Sequence, residues 1–349
     1  MATVKYVKVG EAWKLVTTEY VNIGGDWKLV TSNYVNIGGD WKPVPIGEKY
    51  IWSGEQDADN LYGIDDNQNV LAGWPKTGGT IANPADVACD DDGNSYWACS
   101  DNLYKFNLAG TQVWKYTGFT SAVVSVCVDV DGNVYAGSAQ GNVRKINSAG
   151  GLVWSKTPHV GAVNALAVDY SEGQVYGAYG VNGDGRIYRF LVVNGNGSNV
   201  YLNSGAHCYS IAIDEGTPSL YIGDENGWLR KISTTGFVSW STSKGGELYA
   251  VRIGHDGYGY YVNGSRGDVG KFTLSNGADV WRDQPAGTSR GLAVDAFGNV
   301  YSCHGPFGGT NAVIRKNNSG GVEQWTWQPY VNSEWRGVAV SPGIKAAGF

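Results

Sequence analysis

The chain has 349 residues, among them 52 Gly, 14 Trp, 22 Tyr and a single Met, and it carries a net charge of −6. So much Gly among aromatics and Val describes many short strands joined by tight turns, and it argues against helices and against disorder. The evenly spread charge offers no basic stripe to a nucleic acid, and no apolar run approaches the ~20 residues of a membrane-spanning helix.

The first elements are three copies of one phrase. "YVNIGGDWKLVTSNYVNIGGDWKPV" (20–44) states it twice and "YVKVGEAWKLV" (6–16) once more, with Tyr6, Tyr20 and Tyr34 leading and Trp13, Trp27 and Trp41 closing each copy. Strand, two-residue turn, strand is the pattern of a β-hairpin. Alternation assigns Val21, Ile23, Trp27 and Leu29 to apolar faces and turns Asn22 and Lys28 outward. Three small hairpins make a thin sheet that cannot shelter its own tryptophans. Residues 1–44 are therefore expected to dock onto a partner surface, with those six rings as the anchoring residues. "KPVPIGEK" (42–49) supplies two prolines, so 45–49 reads as a linker and 50–349 as a separate domain. The opening "MATVKYVKVGEAWK" lacks the apolar run of a secretory signal, which points to synthesis in the cytoplasm.

From residue 80 a second phrase recurs, cleanest in "VCVDVDGNVYAGSAQGNVRKINSAGGLVW" (126–154). An alternating strand ends in Asp, a Gly-Asn turn follows, then a Tyr-bearing strand, a turn, and a strand with Lys or Arg. The closing Asp falls at Asp90, Asp129, Asp169, Asp214, Asp256 and Asp295, a period near 40 residues. Four short strands per period of that length predict a β-propeller blade. Units also end alike, with Gly four residues before Trp at Gly110/Trp114, Gly150/Trp154, Gly236/Trp240, Gly277/Trp281 and Gly321/Trp325, and Gly197/Tyr201 in the fourth. The Gly is expected to turn the third strand into the fourth, and the ring to cover the gap to the next blade. Residues 50–74 keep the aromatic at Trp74 but lack the Gly and lack a first strand. "WRGVAVS" (335–341) echoes "SRGLAVD" (289–295), so 337–341 is expected to supply that missing strand and close an all-β, seven-bladed ring.

Few motifs carry chemistry. Cys89, Cys99, Cys127, Cys208 and Cys303 lie in strand-like runs and read as small hydrophobes. "DDDGN" (90–94) and "DVDGN" (129–133) hint at calcium-loop spacing but lack the terminal acidic ligand, and Asp before Gly is what a hairpin turn requires. His159, His207, His255 and His304 are scattered, so no metal site is expected. No catalytic residues and no cofactor are assigned. The third-strand cations (Lys105, Arg144/Lys145, Arg189, Arg230/Lys231, Lys271, Arg315/Lys316) would be spread around the rim, solvated or paired locally. The ligand-binding candidates are loop residues on the face where propellers usually bind: Asp57, Asp59, Asp101, Asn182, Asp184, Glu225, Arg266, His304, Phe307 and Trp335. Hydrogen-bonding groups beside rings fit a saccharide or a peptide surface.

The Gly-x-x-x-Trp units resemble blades of the pyrroloquinoline-quinone-type propeller superfamily, and "DVDGNVYAGS" is similar to NHL-type repeats. The resemblance does not carry the quinone across, because the chain counts seven blades rather than eight and has no adjacent cysteine pair. The Tyr-Val-x-Ile-Gly-Gly-x-Trp-Lys hairpins resemble short terminal repeats of bacteriophage virion proteins, notably tail-associated ones. That resemblance implies a non-enzymatic virion protein, homo-oligomeric on the particle, held to other virion proteins by residues 1–44 and presenting the propeller to a host glycan or protein. Two alternatives stand beside it. One is a capsid or neck decoration protein with a purely structural propeller. The other is a polysaccharide-degrading enzyme with Asp57/Asp59 or Asp184/Glu225 as acid and base.

Overall fold

Val and Tyr alternate with small residues through "VVSVCVDVDGNVYAGS" (123–138), and the segment folds as the strands Val123–Val128 and Val134–Ser138. This unit repeats around a ring. The computed structural model describes residues 49–341, apart from 78–80, 91, 170, 182, 204, 215–216, 218, 286, 306–311 and 329–333, together with the backbone of six strands between residues 6 and 43. Among the described residues there is no helix, and seven four-stranded antiparallel sheets form a seven-bladed β-propeller.

Blade 1 is composite. Its strands run Trp335–Val340, Tyr50–Glu55, Asn60–Asp65 and Lys76–Thr77, so both ends of the ring-forming chain meet in one sheet. The closing strand begins two residues earlier than expected, at Trp335. Blades 2 to 7 are continuous, spanning 84–116, 123–156, 162–203, 208–243, 248–283 and 288–327. Seven apolar clusters fill the seven interfaces between neighbouring blades. The one between blades 3 and 4, for example, joins Tyr135, Val143 and Trp154 to Val163, Val175, Tyr179 and Phe190.

Residues 6–43 contain three two-stranded antiparallel sheets, Tyr6–Val9 with Ala12–Leu15, Tyr20–Ile23 with Asp26–Leu29, and Tyr34–Ile37 with Asp40–Pro43. Their register corrects the expected faces. Trp27 pairs with Asn22 and Leu29 with Tyr20, so these four positions share one face and Val21 and Ile23 lie on the other. The turns of these hairpins, the side chains of Tyr6, Trp13, Tyr20, Trp27, Tyr34 and Trp41, and residues 44–48 lie outside the described residues.

Two recurrent devices give the ring its rigidity. The first is the Asp-closed turn. Asp129 Oδ1 accepts the backbone N–H of Asp131 and of Asn133, at 3.0 and 2.9 Å, and Oδ2 accepts the Tyr135 hydroxyl at 2.9 Å. Asp90 and Asp295 hold the same partners in blades 2 and 7. These carboxylates serve the turn, as their place before Gly requires. In blade 6 the equivalent position is Gly254, and Asp256 reaches Tyr260 from two residues further on, which corrects the spacing assigned to that unit. The Tyr ring in turn lies beneath the third-strand cation. Nζ stands 5.0 Å from the ring centroid for Lys105 over Tyr96 and 5.4 Å for Lys316 over Tyr301, and Lys316 also reaches across to Asp66 of blade 1 at 2.5 Å.

The second device is a tryptophan latch. An indole on the fourth strand of one blade, or just before it in the case of Trp74, donates to a carbonyl in the third-to-fourth turn of the next: Trp74 to Leu108, Trp114 to Ser148, Trp154 to Val192, Trp240 to Leu274 and Trp281 to Ser319, all at 3.0–3.2 Å. The turn Gly seats the incoming ring. A Cβ on Gly150 would stand 2.9 Å from Trp114, and one on Gly321 2.7 Å from Trp281. In blade 4 the seat is Gly195, not Gly197, since a Cβ on Gly195 would stand 2.7 Å from Trp154 and Gly197 already belongs to the fourth strand. Trp325 of blade 7 faces the composite blade, which lacks the turn Gly, and its buried Nε1 has no hydrogen-bond partner. Trp154→Phe is therefore expected to cost about 1 kcal/mol from the lost hydrogen bond, and Trp154→Ala about 3–5 kcal/mol. Trp325→Phe should cost less than Trp154→Phe, and urea unfolding of the three variants checks the order.

Candidate functional site

In every blade the innermost strand carries one register shift near its start. The extra residue is Ala85, Val124, Asn164, Tyr209, Tyr249, Arg290 or Gly337, in blades 2 to 7 and 1 respectively. A bulge leaves its extra residue outside the ladder and re-aims the side chain. All seven residues line a single cavity of about 990 Å³ at the mouth of the central channel.

The chemistry around this ring is lopsided. Blades 1 to 3 contribute Gly337, Ala85 and Val124, and blades 4 to 7 contribute Asn164, Tyr209, Tyr249 and Arg290. The Tyr209 and Tyr249 rings are parallel within 8° with centroids 5.1 Å apart. The Arg290 guanidinium lies 4.8 Å from the Tyr249 centroid. Arg290 pairs with Glu334 at 2.5 Å, and Glu334 also holds Arg336 at 3.1 Å. On the other flank the Tyr209 hydroxyl lies 3.5 Å from Glu225 Oε2, and Glu225 Oε1 accepts the His207 N–H at 2.8 Å. Burial, then the neighbouring Tyr249, pushes the Tyr209 hydroxyl upward, so it stays a neutral phenol that both donates and accepts.

Deeper in the channel stand Asp86 of blade 2 and Arg252 of blade 6. Asp86 Oδ1 accepts its neighbour Val87 N–H, and Oδ2 accepts the Val126 N–H, each at 2.9 Å. Burial raises Asp86 to about 6, against the lowering effect of those bonds and of Arg252. Its folded value thus exceeds the ~3.9 of an unfolded Asp, and folding takes up a proton between the two values. That stability is fully present below pH ~4 and is lost as pH rises through about 6. Asp86→Asn is expected to gain stability relative to the wild type between pH 4 and 7, read as the difference between the two proteins' midpoints at each pH.

The sequence-assigned loop residues fall into three groups. Asp101 lines the mouth and Glu225 flanks it. Asp57, Asp59 and Asp184 brace loops, accepting the backbone N–H of Glu334, Asn83 and Gly205 at 2.9, 2.6 and 2.8 Å. Arg266 is half exposed and lies 3.5 Å from the buried Asp268. Trp335 and His304 are fully buried and offer no surface to a ligand. Trp335 packs on Tyr62 because the closing strand starts with it. His304 sits between the Ser289 and Ser302 hydroxyls, at 2.7 and 2.8 Å, and burial holds its imidazole at about 3, so it is neutral. Asn182 and Phe307 lie outside the described residues. The bulge ring itself was missed, although the residue five before the strand-closing Asp marks it in five of the seven blades.

Comparison with protein-family models and with curated proteins gives no match. Among solved structures, the chain is similar to the β-propeller domain of Cps50 (Swd1) from Myceliophteria thermophila, with TM-score 0.63, 12% identity, and 73% of this chain and 89% of that one covered. It is also similar to a chain of the Mitotic Checkpoint Complex, with TM-score 0.60, 15% identity and 71% and 78% covered. A protein of unknown function from Bacteroides caccae gives TM-score 0.53 at 12% identity, with 84% and 99% covered. The likeness is one of fold. Among the described residues no helix is long and apolar enough to cross a membrane.

Proposed function

We propose that the protein is a non-enzymatic recognition component of a bacteriophage particle. Residues 1–44 dock it to the tail or baseplate, and the channel mouth binds saccharide of the host surface. The particle assignment is supported by the resemblance of the N-terminal phrases to virion repeats. The observation that carries the binding reading is the cluster of Tyr209, Tyr249 and Arg290 on successive bulges. A pyranose offers C–H faces to rings and hydroxyls to charged and amide groups, and this rim supplies both. The rim is built on strands rather than on mobile loops, so little entropy is lost on binding. Binding without turnover is favoured because the carboxylates of Asp57, Asp59 and Asp184 are engaged by backbone N–H groups.

Two measurements test the reading. Purified protein mixed with host envelope fractions should be retained and should release no new reducing ends; steady release would mark an enzyme instead. Deletion of residues 1–44 should leave the propeller's unfolding transition in place and abolish incorporation into particles. A truncated protein that still assembles refutes the docking role.

A further inference from the structure

Five side chains at the mouth and floor carry charge, and their pairing is unequal. Arg290 and Arg336 share one carboxylate, that of Glu334. Asp101 lies at the rim beside Asn102, whose amide it accepts at 2.7 Å. Asp86 uses both oxygens on backbone N–H groups. Arg252 is different. Among the described residues its one hydrogen bond goes from Nη1 to the adjoining Val251 carbonyl, at 2.9 Å, and none of their carboxylates pairs with it. A guanidinium has five N–H donors in a planar fork shaped for a carboxylate. Arg252 lines both the mouth cavity and the cavity of about 880 Å³ on the opposite side, so those donors open on the channel.

Position relates Arg252 to the stacked tyrosines. It follows Tyr249 by three residues on the same innermost strand, which places it about 10 Å further along the channel. A saccharide lying along the channel past Tyr249, whose ring is stacked with Tyr209 and Arg290, would reach Arg252 with the second unit beyond it. We infer that the saccharide bound at the mouth is acidic, and that Arg252 receives the carboxylate of a uronic or sialic acid unit. This inference rests on the saccharide reading above and names the ligand class for that same site. The surroundings agree in sign: burial disfavours the charged Arg252 and Asp86 supports it only from a distance, so an entering carboxylate supplies the contact that is absent.

The test uses the full-length protein and three matched pairs of probes: oligogalacturonate, oligomannuronate and oligosialate, each against its methyl ester. Titration calorimetry should show at least one acid bound 10-fold or more tightly than its ester. Arg252→Gln should collapse that ratio to within about twofold, and Arg252→Lys, which keeps the charge, should retain a preference of several-fold. Unfolding midpoints of both variants verify that they fold. Equal binding of acid and ester, with both lost in Tyr249→Ala, overturns the acidic ligand and leaves saccharide recognition standing. No binding across the three pairs overturns both. Preference for a peptide with a free terminal carboxylate over every saccharide overturns both in favour of a peptide ligand.

Discussion

Removing residues 335–349 is expected to abolish the cooperative unfolding transition altogether. The strand Trp335–Val340 is the innermost strand of blade 1 and pairs along Tyr50–Glu55. With it go the fully buried Trp335 and the buried Val338 and Val340, which pack with Ile51, Tyr62, Tyr301 and Ile314 across the junction of blades 7 and 1. The Ser53 hydroxyl loses the Gly337 carbonyl at 2.8 Å, and Tyr50 loses its reciprocal bonds with Ser341. Truncating one buried Trp to Ala costs about 3–5 kcal/mol, and a whole domain is stable by only about 5–15 kcal/mol. The loss of the strand also exposes an unpaired inner edge, inviting aggregation. Circular dichroism against temperature reads the outcome, with Trp335→Ala as the milder case at about 3–5 kcal/mol. A truncated chain that melts like the full one would show that the ring closes some other way.

The second large effect is expected at Gly141. It occupies the turn between the second and third strands of blade 3 with φ of +85°, and a Cβ there would stand 1.8 Å from the His159 carbonyl oxygen. Gly267 meets the Gly287 carbonyl in the same way, at 2.2 Å. These turns press backbone to backbone on the blade-to-blade loops, and that contact fixes the face that surrounds the mouth. Gly141→Ala adds a left-handed penalty of about 1–2 kcal/mol to an overpacking cost of about 1–3 kcal/mol. A destabilisation of about 2–5 kcal/mol in urea unfolding is expected, with faster amide exchange in the loop around His159. A variant as stable as the wild type would mean that the two segments can part without cost.

Much of the fold could be read from the chain, because its determinants are local and repeated. Asp129 before Gly132 and Asn133 specifies its turn wherever the phrase occurs, and Gly150 with Trp114 specifies a latch between neighbours. Closure was legible because "WRGVAVS" copies "SRGLAVD". The site was less legible. A bulge has no residue preference of its own, and the seven extra residues are Ala, Val, Asn, Tyr, Tyr, Arg and Gly. Tyr209 and Tyr249 are 40 positions apart, and only the ring stacks them. Trp335 reads as a loop residue since a strand boundary two residues off turns a core ring into an apparent surface one, and His304 does so because the strand Val300–Gly305 runs on into a Gly-rich stretch. The mouth's other flank, Glu334 between two arginines, depends on the two chain ends meeting.

The most direct measurement of the central claim is the affinity of the full-length protein for arrayed bacterial surface polysaccharides, compared with the double variant Tyr209→Ala/Tyr249→Ala. Aromatic contacts contribute about 0.5–1.5 kcal/mol each beyond burial, so the pair should account for a loss of about 5- to 150-fold. Recognition at the channel mouth predicts that loss with an unfolding midpoint close to that of the wild type. Undiminished binding by the double variant would place the ligand elsewhere and contradict the account.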